Sequence, residues 1–249
     1  MRRYWVNEEQ FSGEDSLWIE GEQYQHIVRV CRQGLGARFE VLSKSSKAYL
    51  VEIVELQKSR ARAQVIEERK IAPLSKPHIH LAVSLPKFQK TDEIIEKSVE
   101  LGVHSVHPFV SDYSFIRTVD KIGENKFKRW ERIVISATQQ CGRGELMSVQ
   151  PVKEFSEILE KFNQNTTARG LFFYEGESQR GLSDALKELK NESYDEIWLF
   201  VGSEGGFSNA EVERFQALNL APVTLGAQIL RVETACTSVV SIIKYELVN

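Results

Sequence analysis

Cysteine, proline and long apolar runs are all scarce in this sequence, and each scarcity narrows what the chain can be. The 249 residues include 3 cysteines and 6 prolines. Cys31, Cys141 and Cys236 are odd in number and far apart, which argues against a disulfide framework or a zinc site and predicts reduced thiols in a cytoplasmic protein. No apolar run approaches the roughly 20 residues that span a bilayer, so no membrane partner is expected. Met1-Arg2-Arg3-Tyr4-Trp5 is positively charged but has no apolar core after it, so it does not read as a secretion signal. A dominant charge is lacking too: 32 Lys and Arg stand against 35 Asp and Glu, a net charge of −3. The total therefore does not announce a nucleic-acid partner; only the distribution of charge can.

What is present is an ordinary globular composition, with 42% hydrophobic and 27% charged residues. The length suits one large domain or two modest ones. Basic side chains gather early (Arg2, Arg3, Arg29, Arg32, Arg38, Lys44 and Lys47) and again over 117–143 (Arg117, Lys121, Lys126, Lys128, Arg129, Arg132 and Arg143). A solvated helix face and a nucleic-acid contact both explain such groups.

Residues 1–71 read as strands. Residues 38–42, 48–54 and 61–66 alternate apolar and polar, with Gly34 and Gly36 marking a turn before them. Several short strands in so few residues predict a small β-barrel. Ile71-Ala72-Pro73-Leu74-Ser75-Lys76-Pro77 reads as a linker, and beyond it, over 72–249, strands alternate with helices. Strands are expected at 78–85, 105–110, 148–152, 170–174, 196–201 and 222–225, and helices at 91–101, 126–140, 154–162 and 182–189. This pattern is that of an α/β domain with a mainly parallel sheet. His78 and His80 fall on one strand face, as metal ligands do, but no carboxylate or thiol motif accompanies them; ordinary packing is the expectation, with no metal.

Two runs near the C-terminus carry the chemistry. Val201-Gly202-Ser203-Glu204-Gly205-Gly206-Phe207-Ser208 and Leu225-Gly226-Ala227-Gln228-Ile229-Leu230-Arg231-Val232-Glu233-Thr234-Ala235 each follow a short apolar strand and lead into a helix. Ser208 with Glu211 fits a capping box, and Thr234 is a candidate cap for the last helix. Two strand–turn–helix units build a crevice at the carboxyl ends of parallel strands, where α/β sheets bind ligands. The glycines either let a ligand lie against peptide N–H groups or serve only to make tight turns. Neither a P-loop nor a GxGxxG fingerprint is present, which argues against a phosphate cradle and a dinucleotide oxidoreductase.

The pair GSEGGFS and LGAQILRVETA resembles the RsmE family, the uracil-N3 methyltransferases of 16S ribosomal RNA, within the SPOUT superfamily. His26-Ile27-Val28-Arg29-Val30, Glu96 to Val103 and Ala137 to Arg143 are similar to further family segments, so the resemblance covers most of the chain. Two departures stand out: Ser203 where the family has Pro, expected to loosen the turn, and Gln228 where it has Arg, which removes a charge. The resemblance implies a PUA-like RNA-binding barrel over 1–71 and a SPOUT domain over 72–249 with a trefoil knot, a topology that general rules would not offer. It implies a homodimer, S-adenosyl-L-methionine as cofactor and 16S rRNA of the small ribosomal subunit as partner. The cofactor would lie against Tyr174, Glu175, Val201, Gly202, Ser203, Glu204, Gly205, Gly206, Leu225, Gly226, Ile229, Leu230, Arg231 and Thr234. Arg231 would stabilise charge or orient the uracil, or else pair with Glu233 or make a helix-end contact; Glu204 and Glu233 are candidates for base or orienter. Arg2, Arg3, His26, Arg29 and Arg143 would contact RNA. A ribose 2′-O methyltransferase of the same superfamily and a non-catalytic RNA-binding homologue remain open alternatives.

Overall fold

In the strand Arg60–Lys70, Ala61 and Ala63 are fully buried while their neighbours face outward, the two-residue period that the sequence displays. The computed structural model describes residues 2–13, 15–44, 46–176 and 180–248. They divide into two compact units: residues 1–73 with 135–146, and residues 74–134 with 147–249.

The first unit contains β1 (Arg3–Trp5), β2 (Ser16–Glu20), α1 (Gly21–Tyr24) continued by a π-helical turn over Gln25–Val30, then β3 (Arg38–Leu42), β4 (Lys47–Leu56) and β5 (Arg60–Lys70). The sheet order is β1-β3-β4-β5-β2; β1 and β3 are parallel and the other pairs antiparallel. Leu17, Ile19, Phe39, Val41, Val51 and Ile53 from the sheet pack on Tyr24 and Ile27 of the helical segment in one apolar cluster. Strands β3 to β5 lie where the alternation places them. The short β1 and the helical segment carry too few periodic residues to be read from the sequence.

The second unit runs through β6 (His78–Ser84), α2 (Phe88–Glu100), β7 (Ser105–Val110), α3 (Glu124–Cys141, whose last turns belong to the first unit), β8 (Ser148–Val149), β9 (Lys153–Glu154), α4 (Phe155–Asn163), β10 (Ala168–Phe173), β11 (Arg180–Gly181), α5 (Leu182–Leu189), β12 (Glu196–Val201), α6 (Asn209–Ala217), β13 (Pro222–Thr224) and α7 (Val232–Leu247). Its sheet order is β11-β13-β10-β12-β6-β7-β8, with every pair parallel. The expected strand at 148–152 is instead two short pieces, β8 and β9, both paired with β7. Helix α2 begins three residues before the expected start. On one side of the sheet, Phe109, Phe155, Phe172, Phe200, Phe207, Phe215 and Trp198 form an aromatic core, in which Phe172 and Phe215 stack at 4.4 Å between centroids. Helix α7 packs against α2, β12 and β6. Among the described residues, no helix is long and apolar enough to cross a membrane.

His78 and His80 are packing residues. His78 stacks on His104, and His80 lies parallel to Trp198 with its Nδ1 2.7 Å from the Ser105 hydroxyl. That hydroxyl is also 2.7 Å from His107 Nε2 and so links the two buried imidazoles. Burial pushes His80 down to about 3 and His107 down to about 2, with nearby histidines and Lys161 adding to the shift. Both rings are therefore neutral in the folded protein, whereas the unfolded chain protonates them near pH 6.5. The unfolded state then binds more protons as the pH falls below that value, and folding stability drops by up to about 1.4 kcal/mol per pH unit per histidine. Chemical denaturation from pH 7 to pH 5 should show this decline, and His107→Gln should flatten it. An unchanged slope in the variant would show that His107 does not carry it.

Candidate active site

Four segments leave the carboxyl ends of parallel strands, or follow them directly, and converge on one cavity of about 600 Å³. Strand β12 ends at Val201 and gives way to the turn 202–207; β13 gives way to 225–231; β10 gives way to 174–176; and α2, after β6, contributes Lys90. This volume is in the range of small-molecule sites, which cluster at this end of α/β sheets. The walls combine apolar side chains, among them Phe173, Val201, Leu225, Leu230 and Val232, with the backbone of the glycine turns.

The turn 202–207 is tightly made. The Gly206 N–H donates to the Ser203 carbonyl at 2.9 Å, and Gly206 has φ +70°, where L side chains are strained. A Cβ on Gly205 would lie 2.7 Å from Cβ of Tyr113, and one on Gly202 would lie 2.8 Å from Cα of Gly206. At 202 and 205 the missing side chain thus makes room for the protein itself. Ser203, expected to loosen the turn, instead anchors it: its buried hydroxyl donates to the Tyr113 carbonyl at 2.7 Å. The capping box forms as read, with Ser208 Oγ accepting from the Glu211 N–H and the Glu211 carboxylate accepting from the Ser208 N–H. On the second run, Thr224 Oγ1 accepts from the Gly226 N–H at 3.1 Å and so holds the exit from β13.

Charge at the cavity centres on Lys90, which the sequence reading missed. Its Nζ lies 3.4 Å from Glu204 and 3.2 Å from Glu233. Burial alone would raise the Glu233 carboxyl, but its hydrogen bonds to backbone N–H and Lys90, with the charges of Lys90 and Arg231, hold it below the usual carboxylate value. The signal for Lys90 was present but faint: a lysine in the first turn of a helix sits at the positive end of the dipole and needs acidic company. An expected start at Thr91 left it outside the helix.

The lining includes thirteen of the fourteen expected cofactor residues: Tyr174, Glu175, the unbroken run Val201 to Gly206, Leu225, Gly226, Ile229, Leu230 and Arg231. Thr234 does not line it. Helix α7 starts at Val232 with Arg231 at its N-cap position, so Thr234 lies within the first turn and is exposed rather than capping. Gln228 lines the cavity with a neutral side chain, leaving Lys90 and Arg231 as the cations along its wall among the described residues. Lys90 is held by two carboxylates; Arg231 is exposed and, among the described residues, within ion-pair distance of none, so the expected alternative of an Arg231–Glu233 pair does not form. Glu233 lies just outside the lining and reaches it through Lys90.

The five expected RNA-contact residues all belong to the first unit. Arg2 Nη1 donates to the Cys31 carbonyl and His26 Nε2 lies 3.7 Å from the Cys31 thiol, which brings the two side chains to one place. Arg29 is exposed, donates to the Lys58 carbonyl and approaches the Tyr24 ring. Arg3 is tied to Glu40 at 2.9 Å, and its guanidinium lies over Gly142. Burial pushes the Arg143 guanidinium down from its ordinary value, against the pull of Glu145.

The contact between Gly205 and Tyr113 can be tested directly. Gly205→Ala should destabilise the fold by about 1–3 kcal/mol in chemical denaturation, because two backbone-attached carbons cannot both occupy that space. A change within about 0.5 kcal/mol, typical of an open surface position, would mean that the two segments are not in fixed contact.

Comparison with known proteins agrees with this geometry. The RNA methyltransferase domain family matches residues 73–244, and the RNA methyltransferase PUA domain family matches residues 19–66. A ribosomal RNA small subunit methyltransferase E of Bacillus subtilis is 30% identical over 253 residues, covering 99% of this chain and 97% of that protein. A protein of the same name from Helicobacter pylori is 27% identical over 92% of this chain and 94% of its own. The crystal structure of a ribosomal RNA small subunit methyltransferase E from Neisseria gonorrhoeae bound to S-adenosyl methionine superimposes with a TM-score of 0.83 at 26% identity, covering 98% and 97% of the two chains. With a match that runs through both units and a cavity at the carboxyl ends of its parallel strands, the chain belongs to the ribosomal RNA small subunit methyltransferase E family of RNA methyltransferases.

Proposed function

We propose that this protein methylates N3 of a uridine in the decoding region of 16S rRNA within the small ribosomal subunit, in the cytoplasm, using S-adenosyl-L-methionine. The observation that carries this reading is the cavity walled by both glycine-containing runs, with Arg231 on its wall, within ion-pair distance of no carboxylate among the described residues. The cavity fits the cofactor chemically: backbone N–H and C=O groups of 174–176, 202–206 and 225–230 can read an adenine edge, and the apolar walls suit its rings and chain. When bound there, S-adenosylmethionine supplies an electrophilic methyl group on a sulfonium.

The chain's own residues then orient the uracil and stabilise charge. N3 carries a weakly acidic proton, and its loss leaves negative charge shared with O2 and O4. Arg231, which pairs with no carboxylate among the described residues, is placed to hold that charge, as a preorganised donor does. Glu204 and Glu233 both hold Lys90; Glu233, held below the usual carboxylate value, suits orientation better than proton removal. Arg2, His26 and Arg29 are candidates to grip RNA from the first unit.

The same reading carries a trefoil knot and a homodimer. Helix α7 returns from β13, beyond β10, to pack on α2, β12 and β6. Its Ile242 and Tyr245 are exposed, as is Ile229 of the cavity lining, and exposed large apolar side chains of this kind support burial by a second copy.

Two measurements test this function. Small subunits lacking the modification, incubated with labelled S-adenosylmethionine and digested to nucleosides, should yield label in 3-methyluridine. Label in a 2′-O-methyl nucleoside would replace the specificity with that of the ribose-directed alternative. Arg231→Ala should retain its fold and cofactor affinity while turnover falls about a hundredfold, the scale of losing one charge-stabilising donor; full turnover would remove Arg231 from the mechanism.

A further inference from the structure

The loop after β7 presents two large aromatic side chains to solvent, Tyr113 (48% exposed) and Phe115 (55% exposed). Exposed aromatics are ordinary on loose loops, but this loop is fixed at nearly every residue. The Ser111 N–H donates to Ser114 Oγ, and the Asp112 N–H donates to the buried Glu211 carboxylate at 3.0 Å. The Tyr113 carbonyl accepts from Ser203, and the Phe115 N–H donates to the Leu85 carbonyl at 2.9 Å. The Tyr113 side chain leaves the backbone directly over Gly205, whose neighbours line the cavity. Among the described residues neither ring stacks on another aromatic side chain; both are about half exposed, and Tyr113 is held against Gly205 of the cavity wall.

We propose that Tyr113 is a stacking platform for the base adjoining the target uridine, with Phe115 extending the same surface. The proposal rests on the methylation reading above. Uracil N3 lies on the pairing edge of its base, so an enzyme acting there must take the nucleotide out of its stack. The flanking base then loses a neighbour, and an aromatic ring at the cavity rim replaces it. Tyr113 stands outside the cavity lining but against Gly205 within it, which suits the flanking base and not the reacting one. Preordering the loop through Glu211 and Ser203 lets the ring meet the base without first losing its own freedom. Stacking on aromatic side chains is how proteins hold unpaired RNA bases, and it tolerates any base.

The test is steady-state methyl transfer to small subunits by Tyr113→Ala, Tyr113→Phe and Phe115→Ala, with cofactor affinity measured by calorimetry. Tyr113→Ala should raise KM for the subunit about ten- to a hundredfold, the range of one lost base–aromatic stack, with the change falling on KM rather than kcat. Tyr113→Phe should restore the wild-type KM, because the ring and not the hydroxyl does the work, and Phe115→Ala should raise KM less. Cofactor affinity should be the same in all. An unaltered KM in Tyr113→Ala overturns the proposal, as does a loss confined to kcat, an equal loss in Tyr113→Phe, or a matching loss of cofactor affinity. If the wild-type enzyme places no methyl on uracil N3, the underlying function falls and this role with it. If it does so and Tyr113→Ala keeps its KM, only the stacking role falls.

Discussion

The Glu211 carboxylate is the constraint on which the site depends. It is 4% exposed, and each of its oxygens accepts a backbone N–H: Oε2 from Ser208 at 2.9 Å and Oε1 from Asp112 at 3.0 Å. Burying a carboxylate is costly unless it is hydrogen-bonded; here two charge-assisted bonds and the positive end of α6 offset that cost. The consequence is geometric. One side chain fixes both the turn that walls the cavity and the loop that follows β7, so neither can move without leaving a buried charge unsatisfied. Ser203 adds a second tie between the same two segments, through Tyr113. A residue that departs from the family pattern thereby does the rigidifying that a proline would otherwise do through its fixed φ.

A second feature is the way charge is shared at the cavity. Lys90 sits where a helix dipole disfavours a cation, and it is held there by Glu204 from one glycine-containing run and Glu233 from the other. The three residues connect α2, the turn after β12 and α7. Because both carboxylates are engaged with Lys90, Arg231 is, among the described residues, the cation of the cavity wall with no carboxylate partner. The neutral Gln228, where the family pattern carries arginine, adds no charge beside it. At the amino end of the same strands the opposite solution appears: His80 and His107 are buried neutral, linked through Ser105, and contribute packing without charge.

Local physics was legible in the sequence wherever a pattern repeats over neighbouring residues. The alternation in 38–66, the apolar run Glu196–Val201 and the Ser208–Glu211 box each need only a few adjacent positions to declare themselves, and each is found where the sequence puts it. The two glycine-containing runs identify the cavity walls for the same reason. Legibility failed where the partner is distant. Glu211 is visible as a cap, but its second bond, to a residue 99 positions away, is not. Lys90 looks like any surface lysine until the ends of β6, β12 and β13 come together. Gly205 reads as a turn glycine; only the packed loop shows that Tyr113 occupies the space a side chain would need.

The sequence by itself therefore determined the alternation of elements, the position of the two turns and the family, because these reside in local periodicity, capping and contiguous motifs. Tertiary structure alone decided the strand order β11-β13-β10-β12-β6-β7-β8, the partners of Lys90 and the anchoring of Tyr113 beside the cavity. The reason is physical. Hydrogen bonds and ion pairs act over a few ångströms of space whatever the separation along the chain, and the parallel sheet, by bringing the carboxyl ends of distant strands together, chooses which groups meet.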